Sequence, residues 1–115
     1  MIKSDYKTHQ SMDWASRIAS WANDRNLIRG STPTAQVAKL LEEVSELLAA
    51  RMKANPHDRA IETMDAIGDC TVVLAIICEQ CGLDYKTCID RAWEEIKDRR
   101  GKMVDGIFVK DAEAQ

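Results

Sequence analysis

The stretch NPHDRAIETMDAIGDCTVVLAIICEQCG, residues 55–82, decides the fold. Asn55 can cap a helix with its side-chain oxygen, Pro56 suits the first turn, and Gly82 is a natural C-terminal stop. The spacing predicts one long helix from Asn55-Pro56 to about Cys81. From Thr71 to Ile77 it is apolar nearly all round, which predicts a buried helix. Its N-terminal half is different, because Glu62, Asp65 and Asp69 recur at i, i+3 and i+7 and share one face.

Upstream, Gly30-Ser31-Thr32-Pro33 breaks the chain, and Thr32 caps a helix that reaches about Lys53. Val37, Leu40, Leu41, Val44, Leu47 and Leu48 form its apolar stripe, expected to face the core. Before the break, Trp14, Ile18, Ala19, Trp21 and Ala22 mark an amphipathic helix over about Ser11 to Arg25. Downstream, Asp84 caps a fourth helix bearing Cys88, Ile89, Ala92, Trp93 and Ile96. Asp105-Gly106 then sits between short β-prone pieces and predicts a small hairpin or an ordered arm. The fold class is all-α, an antiparallel four-helix bundle in a single domain over residues 1–115.

Lys39, Glu42, Glu43 and Glu46 cover an arc of about 100°, nearly opposite the apolar stripe of their helix. Alone, such a charged face reads as solvated. Paired with the acids of the next helix, it reads as an oxygen-rich site for a hard divalent cation. Asp69, set between Ile67-Gly68 and the apolar run, is expected at the edge of the core, where a carboxylate needs a cation, a strong donor or a proton. Gly68 would admit a neighbouring helix or a ligand at close range.

Composition removes several functions. A net charge of -3 and a pI near 5.4 argue against binding a nucleic-acid polymer. The longest apolar run, Cys70 to Cys78, is far shorter than the roughly 20 residues of a membrane span. Residues 1–10 lack the layout of a signal peptide, so the expectation is a cytoplasmic protein without membrane contact. Cys78 and Cys81 have the spacing of a zinc pair, but no second pair follows, and the four cysteines read as small apolar thiols. His9 and His57 stand alone in polar surroundings and read as surface residues. A chain of 115 residues buries a modest core, so self-association is expected.

At Lys39-Leu-Leu-Glu42-Glu43-Val-Ser-Glu46, followed by Gly68-Asp69-Cys70-Thr-Val-Val, the chain resembles the MazG-like all-α nucleoside triphosphate pyrophosphohydrolases, especially short phage-type members. Their signature is Glu-x-x-Glu followed by Glu-x-x-Asp. The resemblance makes Glu43 and Glu46 the first pair of acids and Asp69 the last. Glu62-Thr-Met-Asp65 satisfies the second half literally, but in the register of Asp69 the motif glutamate is replaced by Ala66. Asp65, one residue away on nearly the same face, is the substitute ligand, with Glu62 the alternative.

The resemblance implies hydrolysis of a nucleoside triphosphate to monophosphate and pyrophosphate with Mg2+ or Mn2+, Glu46 acting as base. It also implies a homodimer or homotetramer. Lys97, Arg100 and Lys102 become candidate phosphate contacts, although basic residues favour helix C-termini in any case. Lys39 either contacts phosphate or pairs with the motif acids. Trp14, Trp21 and Trp93 read first as core residues and second as walls of a base pocket, with Gln36 and Asp90 as hydrogen-bonding groups. A non-catalytic helical module that keeps the fold is the alternative, and Ala66 is the residue that favours it.

Overall fold

The computed structural model describes residues 13–112, which are mostly helical and carry one small two-stranded sheet. Ser11 and Met12 of the expected first helix, and His9, lie outside the described residues. Helix α1 spans Trp14–Asp24, α2 Pro33–Arg51, α3 Pro56–Gln80 and α4 Tyr85–Ile96; strands β1 (Gly101–Val104) and β2 (Ile107–Lys110) follow. The chain divides into two compact units, Met1–Leu83 and Asp84–Gln115.

The helix ends follow local chemistry. Asp13 accepts from the Ser16 amide at 2.8 Å, Thr32 from Ala35 at 3.1 Å, and Asn55 from His57 and Asp58 at 2.9 and 3.0 Å. Each satisfies amide donors that the first helical turn leaves free. Helix α3 ends in a full Schellman motif: Leu83 donates to the Cys78 carbonyl at 2.8 Å and Gly82 to that of Glu79 at 3.2 Å. Gly82 has φ +68°, a left-handed conformation in which a Cβ would be strained.

In the first unit, α2 packs along α3, and α1 packs on α3 more lightly. The direction is antiparallel, since Arg51 donates to Thr63 at 3.3 Å while Glu46, a turn earlier on α2, meets Asp69 later on α3. The seam is built from small residues: Ala50 of α2 and Ala66, Val73 and Ile76 of α3 are buried, as is Ala22 of α1. In the second unit, Asp84 caps α4 through the Thr87 amide at 3.2 Å. There β1 and β2 pair antiparallel, Lys102 opposite Val109, around Asp105 and Gly106 at φ +50° and +80°, the pattern of a type I′ turn.

Four expectations are corrected. The row Val37, Leu41, Val44 and Leu48 is exposed, and α2 meets α3 along a neighbouring face that includes Glu43 and Ala50. Trp14, Trp21 and Trp93 are exposed rather than core, because their helices cover only part of each indole. Asp69 is exposed, and the buried carboxylate belongs to Glu43. No neighbouring helix closes on Gly68, where an added Cβ would meet open space.

Candidate metal centre

The site is set by the α2–α3 hairpin. Glu43 and Glu46 lie one turn apart on α2, and the antiparallel seam brings Asp69 of α3 opposite them. One carboxylate oxygen from each of Glu43, Glu46 and Asp69 lies within 4.8 Å of the other two. Among the described residues this is the group able to supply three ligand atoms to one ion. Three oxygens from carboxylates suit a hard divalent cation.

Glu43 is the unusual member. The residue is 7 % exposed, and its Oε2 is buried without a hydrogen-bond partner. Its other oxygen, Oε1, lies 3.5 Å from Lys39 Nζ, and Lys39 also reaches Glu42 at 3.7 Å. One lysine shared between two carboxylates leaves the buried oxygen uncompensated, and a buried polar atom without a partner is costly. The arrangement therefore fits a cation that takes Oε2 as a ligand.

Electrostatics agree with crowding. The Glu46 carboxyl is raised above its ordinary value, first by the neighbouring Glu43 charge, with partial burial and Asp69 adding to the effect and Lys39 opposing it. The Lys39 ammonium is raised, chiefly by Glu42 and then by Glu43. Burial pushes the Cys70 thiol up, and Glu43, Asp69 and Glu46 push it the same way.

Beside the triad lies a cleft of about 340 Å³, whose acids are Glu46, Glu62, Asp65 and Asp69 and whose floor includes Ala50 and Ala66. Glu62 and Asp65 thus border the triad without joining it, and Glu62 is held 3.5 Å from Lys53. Sequence reasoning missed Lys53 as a cleft residue; its place two residues before the Asn55 cap, in the turn of a helical hairpin, was the available signal.

A second cavity of about 360 Å³ adjoins Glu43, Asp69 and Lys39 and is walled by Trp21, Val72 and Ile76, with Gln36 at its edge. The Gln36 amide nitrogen donates to Ser31 Oγ at 3.0 Å. Trp14 lines a neighbouring apolar cavity of about 390 Å³ with Arg17, Ile18, Trp21 and Val72. Arg25 lies over the Trp21 ring, 4.6 Å from its centroid.

The remaining candidates belong to the second unit. Asp90 accepts from Lys86 at 2.7 Å along α4, and Lys97 pairs with Glu94 at 2.6 Å. Arg100 precedes β1, its carbonyl accepting from the Asp111 amide at 2.9 Å, and Lys102 is exposed on β1. Cys70, Cys78, Cys81 and Cys88 form no disulfide.

No family model matches the chain, and no solved structure matches it. Over 67 residues it is 43 % identical to an uncharacterized 18.2 kDa protein in the rep-hol intergenic region of Haemophilus phage HP1 (strain HP1c1). The match takes in 58 % of this chain and 39 % of that protein, so the chain spans about two fifths of the length of the curated relative it matches.

Proposed function

We propose that the chain is a cytoplasmic, MazG-like nucleoside triphosphate pyrophosphohydrolase, and that its helices adopt the antiparallel four-helix bundle of the all-α enzymes of that class. The observation that carries this reading is the buried, unpartnered Oε2 of Glu43, converging with Glu46 and Asp69 on one small volume. A site of this charge repels a triphosphate until its carboxylates are neutralised. Glu43, Glu46 and Asp69 would hold Mg2+ or Mn2+, with Asp65 and Glu62 at the cleft margin positioned to bind a second ion or its water. The bound ion supplies neutralisation of the phosphate oxygens and a lowered pKa for water.

The residues supply the rest. Glu46 borders both the triad and the open cleft, where its free oxygen can accept the proton of a water attacking the α-phosphorus. Water oxygen bonds to phosphorus, the bond to the bridging oxygen breaks, and pyrophosphate leaves with its electron pair. Lys39 is placed to meet a phosphate oxygen or to balance Glu42 and Glu43. Trp21, Val72 and Gln36 offer a flat apolar wall and one polar edge next to the acids, which suits a nucleobase.

A panel of ribo- and deoxynucleoside triphosphates with Mg2+, with products identified, tests the proposal. Monophosphate and pyrophosphate in equal amounts are expected, with turnover abolished by Glu46→Gln and by Asp69→Asn while the helical circular dichroism is kept. Release of orthophosphate, or no product from any member, refutes it. The alternative, a non-catalytic module, is favoured by Ala66: it is 5 % exposed on the cleft floor, where an apolar methyl stands in the motif position of an acid.

A further inference from the structure

Glu43 is the fixed member of the carboxylate triad. Glu46 and Asp69 are exposed, so their carboxylates can turn toward whatever ion is present, whereas Glu43 is 7 % exposed and lines the second cavity with Val73 and Ile76. Its two oxygens are not equivalent: Oε1 lies 3.5 Å from Lys39 Nζ, and Oε2 is buried without a partner. Lys39 stands one turn earlier on the same helix, a spacing at which the two side chains are surface neighbours. Its ammonium also reaches Glu42 at 3.7 Å. Lys39 therefore closes one oxygen of the buried carboxylate and leaves the other open.

Ions differ in what they ask of such a group. Mg2+ demands a near-octahedral shell with oxygens at about 2.0–2.1 Å and keeps several waters, whereas Ca2+ takes about six to eight oxygens at about 2.3–2.6 Å and accepts a carboxylate through both of its oxygens. We infer that Lys39 is an ion-selectivity residue: by holding Oε1 of Glu43 it restricts that carboxylate to one ligand oxygen, and so sets the centre for Mg2+ against Ca2+. The inference rests on the metal centre proposed above and concerns which ion it takes, not the reaction. One oxygen each from Glu43, Glu46 and Asp69 covers half of an octahedron and leaves the rest to water. Release of Oε1 would add an oxygen at the one carboxylate that burial keeps from swinging away, which a larger ion can use and Mg2+ cannot. Lys39 is a positioning residue in this account, since an ammonium cannot itself be a metal ligand.

Calorimetric titration of the metal-free full chain with MgCl2 and with CaCl2, without nucleotide and with melting midpoints as a second readout, tests it. Lys39→Met removes the ammonium and keeps a long, helix-favouring side chain. Loss of a positive charge strengthens the binding of both ions, so the quantity to read is the ratio of their dissociation constants. In Lys39→Met that ratio is expected to move toward Ca2+ by roughly tenfold or more. In Lys39→Arg it is expected to stay within about twofold of the parent, because a guanidinium also holds a carboxylate oxygen. An unchanged ratio in Lys39→Met overturns the inference, as does a Lys39→Arg ratio that moves equally far. Should Lys39→Met fail to fold, Glu42→Gln serves in its place: Lys39 is then left to Glu43 alone, and the ratio is expected to move toward Mg2+ by about threefold. A Glu42→Gln ratio that stays, or moves toward Ca2+, overturns the inference. A parent chain that binds neither ion removes the metal centre and the inference together; one that binds Mg2+ while Lys39→Met leaves the ratio unchanged removes the inference alone.

Discussion

Glu43 carries a conflict that one substitution can expose. Its buried oxygen adds repulsion against Glu46 and Asp69 while Lys39 compensates only the other oxygen. Glu43→Gln is therefore expected to raise the melting midpoint of the metal-free protein and to remove its response to Mg2+. Thermal melts of both proteins with and without the ion check this, and a lowered metal-free midpoint would show the charge to be structural. A different pH response belongs to Asp13, whose carboxyl is held below the usual range by the Ser16 amide it accepts from. A depressed carboxylate stabilises the folded state above its unfolded pKa, and the benefit disappears as pH falls through the folded one. Fraying of α1 is thus expected below the ordinary aspartate range, followed through the Ser16 amide by NMR, and Asp13→Ala should abolish the transition. Spacing marked the acidic faces of both helices and the resemblance singled out Glu43, Glu46 and Asp69, but neither gave their burial, and the Asp13 cap was not read. Glu43 and Asp69 exchanged the roles expected of them because burial depends on which neighbour packs, and a single helix does not record that.

The termini of the elements were the most readable feature, because caps are local chemistry. Thr32, Asn55, Asp84 and Gly82 each hold the position their residue type prefers. Thr32→Ala should cost about 1 kcal/mol through the lost acceptor for Ala35. Gly82→Ala should cost about 1–2 kcal/mol through backbone strain alone, since an added Cβ meets nothing. Denaturant titration resolves both, and a Gly82→Ala protein as stable as the parent would contradict the left-handed assignment. The Asp105-Gly106 hairpin was readable for the same reason. The faces of α2 were not. Two apolar tracks run side by side, Val37-Leu41-Val44-Leu48 and one through Leu47 and Ala50, and periodicity favours the leucine-rich one. The structure packs the other against α3, because two alanines permit a close approach that leucines do not. The tryptophans misled likewise: helical spacing marks a face as apolar without saying what covers it.

For the molecule as a whole, a ligand that binds only the folded chain adds to its stability by mass action. At an Mg2+ concentration 100 times the dissociation constant, the gain is about 2.7 kcal/mol. A calcium- and magnesium-free melt that matches the magnesium-loaded one would remove the metal centre from consideration. The alanine floor also bears on how this chain could change. Ala66 is 5 % exposed on the cleft floor, so the carboxylate of Ala66→Glu either reaches into the cleft or wedges the hairpin open, the second at about 1–3 kcal/mol. A side chain longer than a methyl at this point thus has one way out, through the mouth of the hairpin, and any lineage that enlarged it without using that exit would be reshaping the spacing of its two rods.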